Sequence, residues 1–278
     1  MKLIKNILRL LYSKFRDNLR TERYPRYAVD RHYYNDDKRY SRYPTNAKFA
    51  NLGAGPNFYH KRWTCYDFYT SRFDKFLTNN KSMDFTKVSS LNEKFHLMYS
   101  SHVFEHIPRK SLDKFLNLIY DGLVTGGTIR IQVPDAKEIY ESYINRRYEF
   151  FEIWESKLPE GFDVDWKLEF LLLFLIATDK CEADFDVEYY RTIRANSQSM
   201  QMHEFLDWLL DGVEENSPDG HQHVNWFDYE KLKLALERVG FSEVYLSGCG
   251  KSRHAPMKQI PLFDSLLPTL SLYVEAKK

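Results

Sequence analysis

Two histidines, His102 and His106, fall four residues apart in the stretch Ser101-His102-Val103-Phe104-Glu105-His106-Ile107-Pro108. An imidazole titrates near neutral pH, so one of them can take a proton from a hydroxyl as a new bond forms to its oxygen, an effect typically of ~10²–10⁴-fold in rate. His223, after the turn Pro218-Asp219-Gly220, is a third candidate base on a loop that can close over a substrate, with His221 and His254 behind it. Each also has a structural reading: His106 can start a helix or buttress a strand, and the others can be loop residues. No His, Cys or carboxylate group shows metal-ligand spacing, so the expected reaction is metal-independent.

A second kind of chemistry is suggested by Asn51-Leu52-Gly53-Ala54-Gly55, where the apolar run 49–52 breaks into a Gly-x-Gly turn. Gly53 and Gly55 permit positive φ and remove the Cβ atoms that would hold a ligand off the backbone. A strand ending in such a turn is where an open α/β sheet commonly holds a nucleotide-like ligand. Trp63-Thr64-Cys65-Tyr66-Asp67 then reads as a strand ending on a carboxylate, which can accept hydrogen bonds from both hydroxyls of a ribose. Ser82-Met83-Asp84-Phe85 reads as another strand end, with an acid and an aromatic that can stack on a base. Asp67 and Asp84 are equally able to be N-caps or turn residues.

Alternating elements must position these groups. Residues 95–100 form a fourth expected strand; Ser111 can cap a helix with Leu112, Phe115, Leu116 and Ile119 on its apolar side; Gly126-Gly127 turns into a fifth strand over 128–133, ending at Pro134-Asp135. Strand and helix alternating over 48–135 predict a doubly wound, mostly parallel α/β sheet. Residues 136–219 read as a helical insertion. Asp228 is a good N-cap for a helix over 229–239 that stops at Gly240, and strands follow over 241–246 and 270–275.

The front of the chain differs. Residues 1–45 carry twelve Lys/Arg against five Asp/Glu, although the whole chain has a net charge of only +1. Leu3, Ile4, Ile7, Leu8, Leu11, Phe15 and Leu19 form a helical stripe beside basic residues, so 1–20 can lie on an anionic membrane surface or pack on protein. Arg and Tyr interleave over 21–47 as a lid, a wrapped arm or a nucleic-acid grip would require; no RNA-binding signature accompanies them. The expected domains are therefore 1–47, helix and basic aromatic arm, and 48–278 with the insertion. Three cysteines without paired spacing suit a reducing compartment, and no secretory signal is evident; the expected location is cytoplasmic, with peripheral contact at the inner membrane surface an option. The apolar run 170–177 is only ~12 Å long as a helix and too short to span a bilayer.

With these pieces in order, the sequence resembles the class I S-adenosylmethionine-dependent methyltransferases, and within them the type-11-like group often linked to surface-polysaccharide biosynthesis. The resemblance is carried by Asn51-Leu-Gly-Ala-Gly55, Trp63-x-x-x-Asp67, the Ser101–Pro108 stretch, Gly126-Gly127-Thr-Ile-Arg-Ile-Gln-Val-Pro134-Asp135, and His223 with Phe227-Asp228 ahead of Gly240-Phe241. It implies a Rossmann-like, seven-stranded sheet with the last strand antiparallel and S-adenosyl-L-methionine as cofactor. It places the cofactor's methionine part against Gly53, Ala54 and Gly55, its ribose on Asp67 and its adenine beside Asp84 and Phe85, with Ser101, His102 and His106 lining the floor near the sulfonium. Asn51 stands where an acid is usual, and Pro56-Asn57 replace a third glycine. The chain lacks the Asn/Asp-Pro-Pro-aromatic motif of enzymes that methylate base amines, having Ser100-Ser101-His102-Val103 there. The resulting expectation is O-methylation of a small molecule or a sugar, free, nucleotide- or lipid-linked, in cell-surface glycan assembly. The alternatives are an RNA methyltransferase using the basic arm and a noncatalytic binding protein.

Overall fold

A computed structural model describes residues 37–55, 58, 60–68, 80–159, 162–181, 187–213, 222–259 and 262–278. The amphipathic stretch 1–20, most of the aromatic arm, Pro56-Asn57 and His221 lie outside the described residues. The chain divides between Pro44 and Thr45. Of the first unit, the described part is a 3-10 turn, Asp37–Tyr40, closed by the Ser41 hydroxyl donating to the Lys38 carbonyl.

The second unit is built on one sheet of seven strands: β1 (Phe49–Leu52), β2 (Trp63–Asp67), β3 (Asn80–Ser82), β4 (Phe95–Ser101), β5 (Leu123–Pro134), β6 (Ser242–Leu246) and β7 (Ser271–Lys277). The spatial order is β3-β2-β1-β4-β5-β7-β6. Strands β1 to β5 pair in parallel, and β7 runs antiparallel to both of its neighbours. This is the seven-stranded, mostly parallel sheet that the resemblance implies. Starting the sheet in its middle and winding outward brings the carboxyl ends of β1, β2 and β4 side by side, where loops can converge on a ligand.

Alternation along the strands gives the sheet two unlike faces. On one, Ala50, Leu52, Met98, Ile129, Ile131, Val133, Leu272, Val274 and Ala276 are buried. They pack with the helices α1 (Leu112–Gly122) and α8 (Tyr229–Val239), whose apolar residues recur at helical spacing. On the other face Tyr99, Arg130, Gln132 and Glu275 are just as deeply buried, yet they are polar. Between β5 and α8, the chain forms helices α2 (Ala136–Ile144), α3 (Tyr148–Phe151), α4 (Lys167–Ile176), α5 (Thr178–Cys181), α6 (Val187–Ser199) and α7 (Met202–Leu209). These have a separate core around Leu171, Leu172, Phe205 and Leu209. Helix α4 is apolar nearly all round and buried; its Glu169 is held by the Tyr143 hydroxyl and by Arg194. No helix among the described residues is long and apolar enough to cross a membrane.

Several local expectations are corrected. β3 ends at Ser82, so Asp84 and Phe85 lie past the strand in a turn of their own. Gly126 and Gly127 do not precede β5 but sit inside it: Gly126 adopts φ +77°, and the register against β4 shifts there, as a bulge requires. Ser111 does not cap α1 through its side chain; a 3-10 turn, Arg109–Ser111, feeds the helix instead. Asp228, by contrast, accepts from the Lys231 N–H, and Gly240 ends α8 in the left-handed region.

Candidate active site

The glycine turn follows β1 directly. Gly53 and Gly55 take φ of +77° and +63°, conformations that a side chain disfavours. The two positions differ in what lies beyond: a Cβ on Gly53 would fall 2.0 Å from Cγ2 of Val103, whereas nothing lies within 4 Å of one on Gly55. Space over Gly53 is thus filled by the chain itself, and space over Gly55 is open. Both Gly53 and Ala54 donate their N–H to the Tyr66 carbonyl, which ties the turn to β2.

Asp67, at the end of β2, reaches the same turn. Its Oδ2 accepts from the Gly55 N–H at 2.5 Å and its Oδ1 from the Phe68 N–H at 2.7 Å. Burial raises its pKa, against the pull of those two N–H groups and of His106. Asn51, on β1, is 2% exposed, and its Oδ1 has no hydrogen-bond partner among the described residues. A buried carbonyl oxygen left this way favours an incoming donor such as an ammonium.

Asp84 and Phe85 are engaged elsewhere. Asp84 Oδ1 accepts from both the N–H and hydroxyl of Thr86, and Oδ2 pairs with Lys87, which together lower its pKa although burial opposes them. Phe85 is buried with its ring 5.2 Å from that of Phe115. In this structure the two are a turn residue and a core residue. Ser101, ending β4, donates to Gln132 Oε1 at 2.9 Å.

The three foremost candidate histidines are brought together around a residue that sequence reading passed over, Glu105. His102 holds φ +52°, unusual for a residue with a side chain, and its Nδ1 lies 3.1 Å from Glu105 Oε1 while Nε2 meets the Ser271 hydroxyl at 3.0 Å. His106 follows on the 3-10 turn Phe104–His106, its Nε2 4.0 Å from the same carboxylate oxygen. His223 arrives from a loop pinned to that turn, because the N–H groups of Val224 and Asn225 both donate to the Glu105 carbonyl. The His106 and His223 rings meet edge to face at 5.0 Å. His254 belongs to a different part of the fold, ahead of the 3-10 turn Ala255–Lys258.

Charge explains the arrangement. Although burial opposes ionisation, the surrounding imidazoles, His102 first, bring the Glu105 pKa down to about 2. His223 is pushed down to about 4, chiefly by burial and then by His106, so it is unprotonated at neutral pH. Its Nδ1 is 3.0 Å from the Leu175 carbonyl and that of His106 is 2.9 Å from the Gln222 carbonyl. A carbonyl only accepts, so each Nδ1 carries a proton, and the neutral His223 ring has its lone pair on Nε2. A small cavity of about 10 Å³, room for about one water molecule, is lined by Glu105, His223, Asn225, Leu175 and Trp226 among others. Asn225 Nδ2, buried, has no partner among the described residues.

Glu105, His106 and His223 place ligand atoms within 4.8 Å of one another, a grouping in space that sequence spacing does not show. Residues 118 apart in the chain show no spacing pattern, which is why the cluster escapes a motif search.

No family model matches the chain, and no curated protein matches it. Among solved structures it is similar to an S-adenosylmethionine-dependent methyltransferase from Mesorhizobium loti, with 16% identity, 87% of this chain and 96% of that chain covered, and a TM-score of 0.39. A SAM-dependent methyltransferase from Archaeoglobus fulgidus gives 15% identity, coverage of 96% and 99%, and a TM-score of 0.41. Human N-acetylserotonin methyltransferase in complex with SAM gives 13%, coverage of 83% and 47%, and 0.39. At these TM-scores the functional reading rests on the geometry of the site itself.

Proposed function

We propose that this chain is an S-adenosyl-L-methionine-dependent methyltransferase that methylates a hydroxyl of a small-molecule or glycan acceptor. One observation carries the reading: the Asp67 carboxylate and the open Gly55 turn are bonded to each other at adjacent strand ends, beside a buried Asn51 oxygen with no partner. That set fits the donor. Asp67 keeps lone pairs for ribose hydroxyls, Gly55 lets a chain pass against the backbone, and Asn51 Oδ1 can accept from an ammonium group.

When bound, the donor supplies an electrophilic methyl on a sulfonium, and the enzyme's task is to align the acceptor oxygen in line with it in a dry setting. The cavity lined by Glu105, His223 and Asn225 is water-sized, so an acceptor hydroxyl reaches these side chains only at its edge, where the buried Asn225 Nδ2, without a partner among the described residues, can donate. A hydroxyl must lose its proton as it attacks; His223, unprotonated at neutral pH, presents an Nε2 lone pair to receive it, and His106 turns its Nε2 the same way, with Nδ1 on a backbone carbonyl. His102, locked between Glu105 and Ser271, positions the carboxylate. A sugar acceptor in cell-surface glycan assembly, and a reducing cytoplasmic setting, are the parts of the proposal that rest on the sequence resemblance and cysteine content. Incubating the full chain with methyl-labelled cofactor and fractionated cell extract, then identifying labelled product by mass spectrometry, tests it. An O-methylated glycan supports the proposal in full, and no label transfer to any fraction refutes it.

A further inference from the structure

The Glu105 carboxylate poses a problem of its own. It is 2% exposed, and neither oxygen meets a donor in hydrogen-bond alignment among the described residues. An ionised carboxylate so placed is costly unless a positive charge reaches it. The groups facing it are His102 Nδ1 at 3.1 Å, His106 Nε2 at 4.0 Å, and His223. In both His106 and His223 a backbone carbonyl holds Nδ1, which leaves Nε2 as the atom available to a ligand, and the ligand atoms of the two rings and of Glu105 lie within 4.8 Å of one another. A buried carboxylate grouped this closely with two imidazoles is a ready-made set of donor atoms for a cation.

We propose that Glu105, His106 and His223 form a binding site for a divalent transition-metal ion. Two imidazole nitrogens and one carboxylate oxygen are a donor set that suits Zn²⁺ and its first-row neighbours and is poorly matched to Mg²⁺ or Ca²⁺. The outer contacts agree. Metal-bound histidines commonly donate their other N–H to a backbone carbonyl, as His106 does to Gln222 and His223 to Leu175. His102, between Glu105 and Ser271, is then an outer partner that orients the carboxylate. The ligand atoms, within 4.8 Å of one another, must close to about 3.4 Å for bonds of ~2.1 Å in tetrahedral geometry. That is about an ångström of side-chain movement. Rotation of Glu105 about its contact with His102 supplies part of it. A three-ligand site leaves a position open, and the adjoining water-sized cavity lets a water take it. Metal binding requires neither donor nor acceptor, so its test is separate from that of methyl transfer; an ion held by both Nε2 atoms occupies the lone pairs that would otherwise take a proton, so metal binding and the general-base role are alternative uses of this cluster.

The test uses the purified full chain, stripped with chelator and titrated with CoCl₂ followed by visible absorbance, then with ZnCl₂ by calorimetry. One equivalent is expected to bind, with a Co²⁺ spectrum of low-symmetry four- or five-coordination. Glu105→Gln, His106→Ala and His223→Ala are each expected to weaken binding by at least ~10–100-fold. His203→Ala, altering a histidine paired with Asp228, serves as a control that leaves binding unchanged. If a variant does not fold, the wild type alone decides: Zn²⁺ raises its Tm and chelator reverses the rise. Absence of stoichiometric binding by the wild type, or unchanged binding in folded Glu105→Gln, overturns the proposal.

Discussion

Arg130 and Glu105 are both fully buried charges on neighbouring strands of the sheet or just beyond them, and they are treated in opposite ways. Arg130 has five N–H donors and five acceptors: Asp264 twice, Glu275, the Ser247 hydroxyl and the Gly248 carbonyl, all at 2.5–3.0 Å. Its ring of partners is complete, and burial cannot neutralise it, because Asp264 and Glu275 raise its pKa. Glu105 has charges near it but no aligned donor among the described residues, and it lines a water-sized cavity. A saturated buried charge holds the fold together. An unsaturated one beside a cavity is prepared for something that arrives later.

The comparison breaks most readily at Arg130. Arg130→Met leaves Asp264 and Glu275 buried without their cation, and a loss of about 3–5 kcal/mol is expected in urea unfolding. A loss below about 1 kcal/mol contradicts the structural role. Glu105→Gln is next: methyl transfer is expected to fall by ~10²-fold or more while the unfolding midpoint moves less than in Arg130→Met. The reverse pattern, a collapsed midpoint with activity retained in the folded fraction, makes the two clusters alike.

Acid titration sharpens the contrast. His223 has a folded pKa of about 4 against an ordinary 6.5, so between these values the unfolded chain binds the extra proton. Its contribution to stability is fully present above pH 6.5 and is lost as pH falls toward 4. Glu105, with a folded pKa of about 2 against 4.5, loses its contribution lower, between those two values. In His223→Gln the stability curve from pH 6.5 to 4 is expected to flatten, and an unaltered slope there contradicts the assignment.

A smaller effect separates shape from chemistry at His102. His102→Gly fits φ +52° and removes only the imidazole, whereas His102→Ala keeps the left-handed backbone, at about 1–2 kcal/mol. Both are expected to lower activity equally, with the glycine variant the more stable. Smallest of all is the exposed Arg238–Asp113 pair, where Arg238→Ala is expected to change stability by about 0–1 kcal/mol.

What could be read from the sequence follows the range over which each signal acts. The β1 turn, the Asp67 strand end and the cap at Asp228 are set by neighbours in the chain, and they stand where periodicity and turn chemistry place them. Of the two readings of Asp84, the turn is the one its local signal favours: Asp84-Phe85-Thr86 is an acid with a hydroxyl two residues on. Glu105 was visible as an acid within the apolar Val103-Phe104-Glu105-His106-Ile107, an arrangement seldom left without purpose. Its junction with His223 was not, since it is made by two backbone bonds across the fold. Nor does any spacing reveal that Val103 would close over Gly53.

The measurement that bears most directly on the account is calorimetric titration of the full chain with S-adenosyl-L-methionine, beside the Asp67→Ala variant. The account predicts one site per chain in the wild type and affinity lower by at least ~10-fold in the variant, whose ribose partner is gone. No binding to the wild type at millimolar cofactor, or equal affinity in Asp67→Ala, contradicts it.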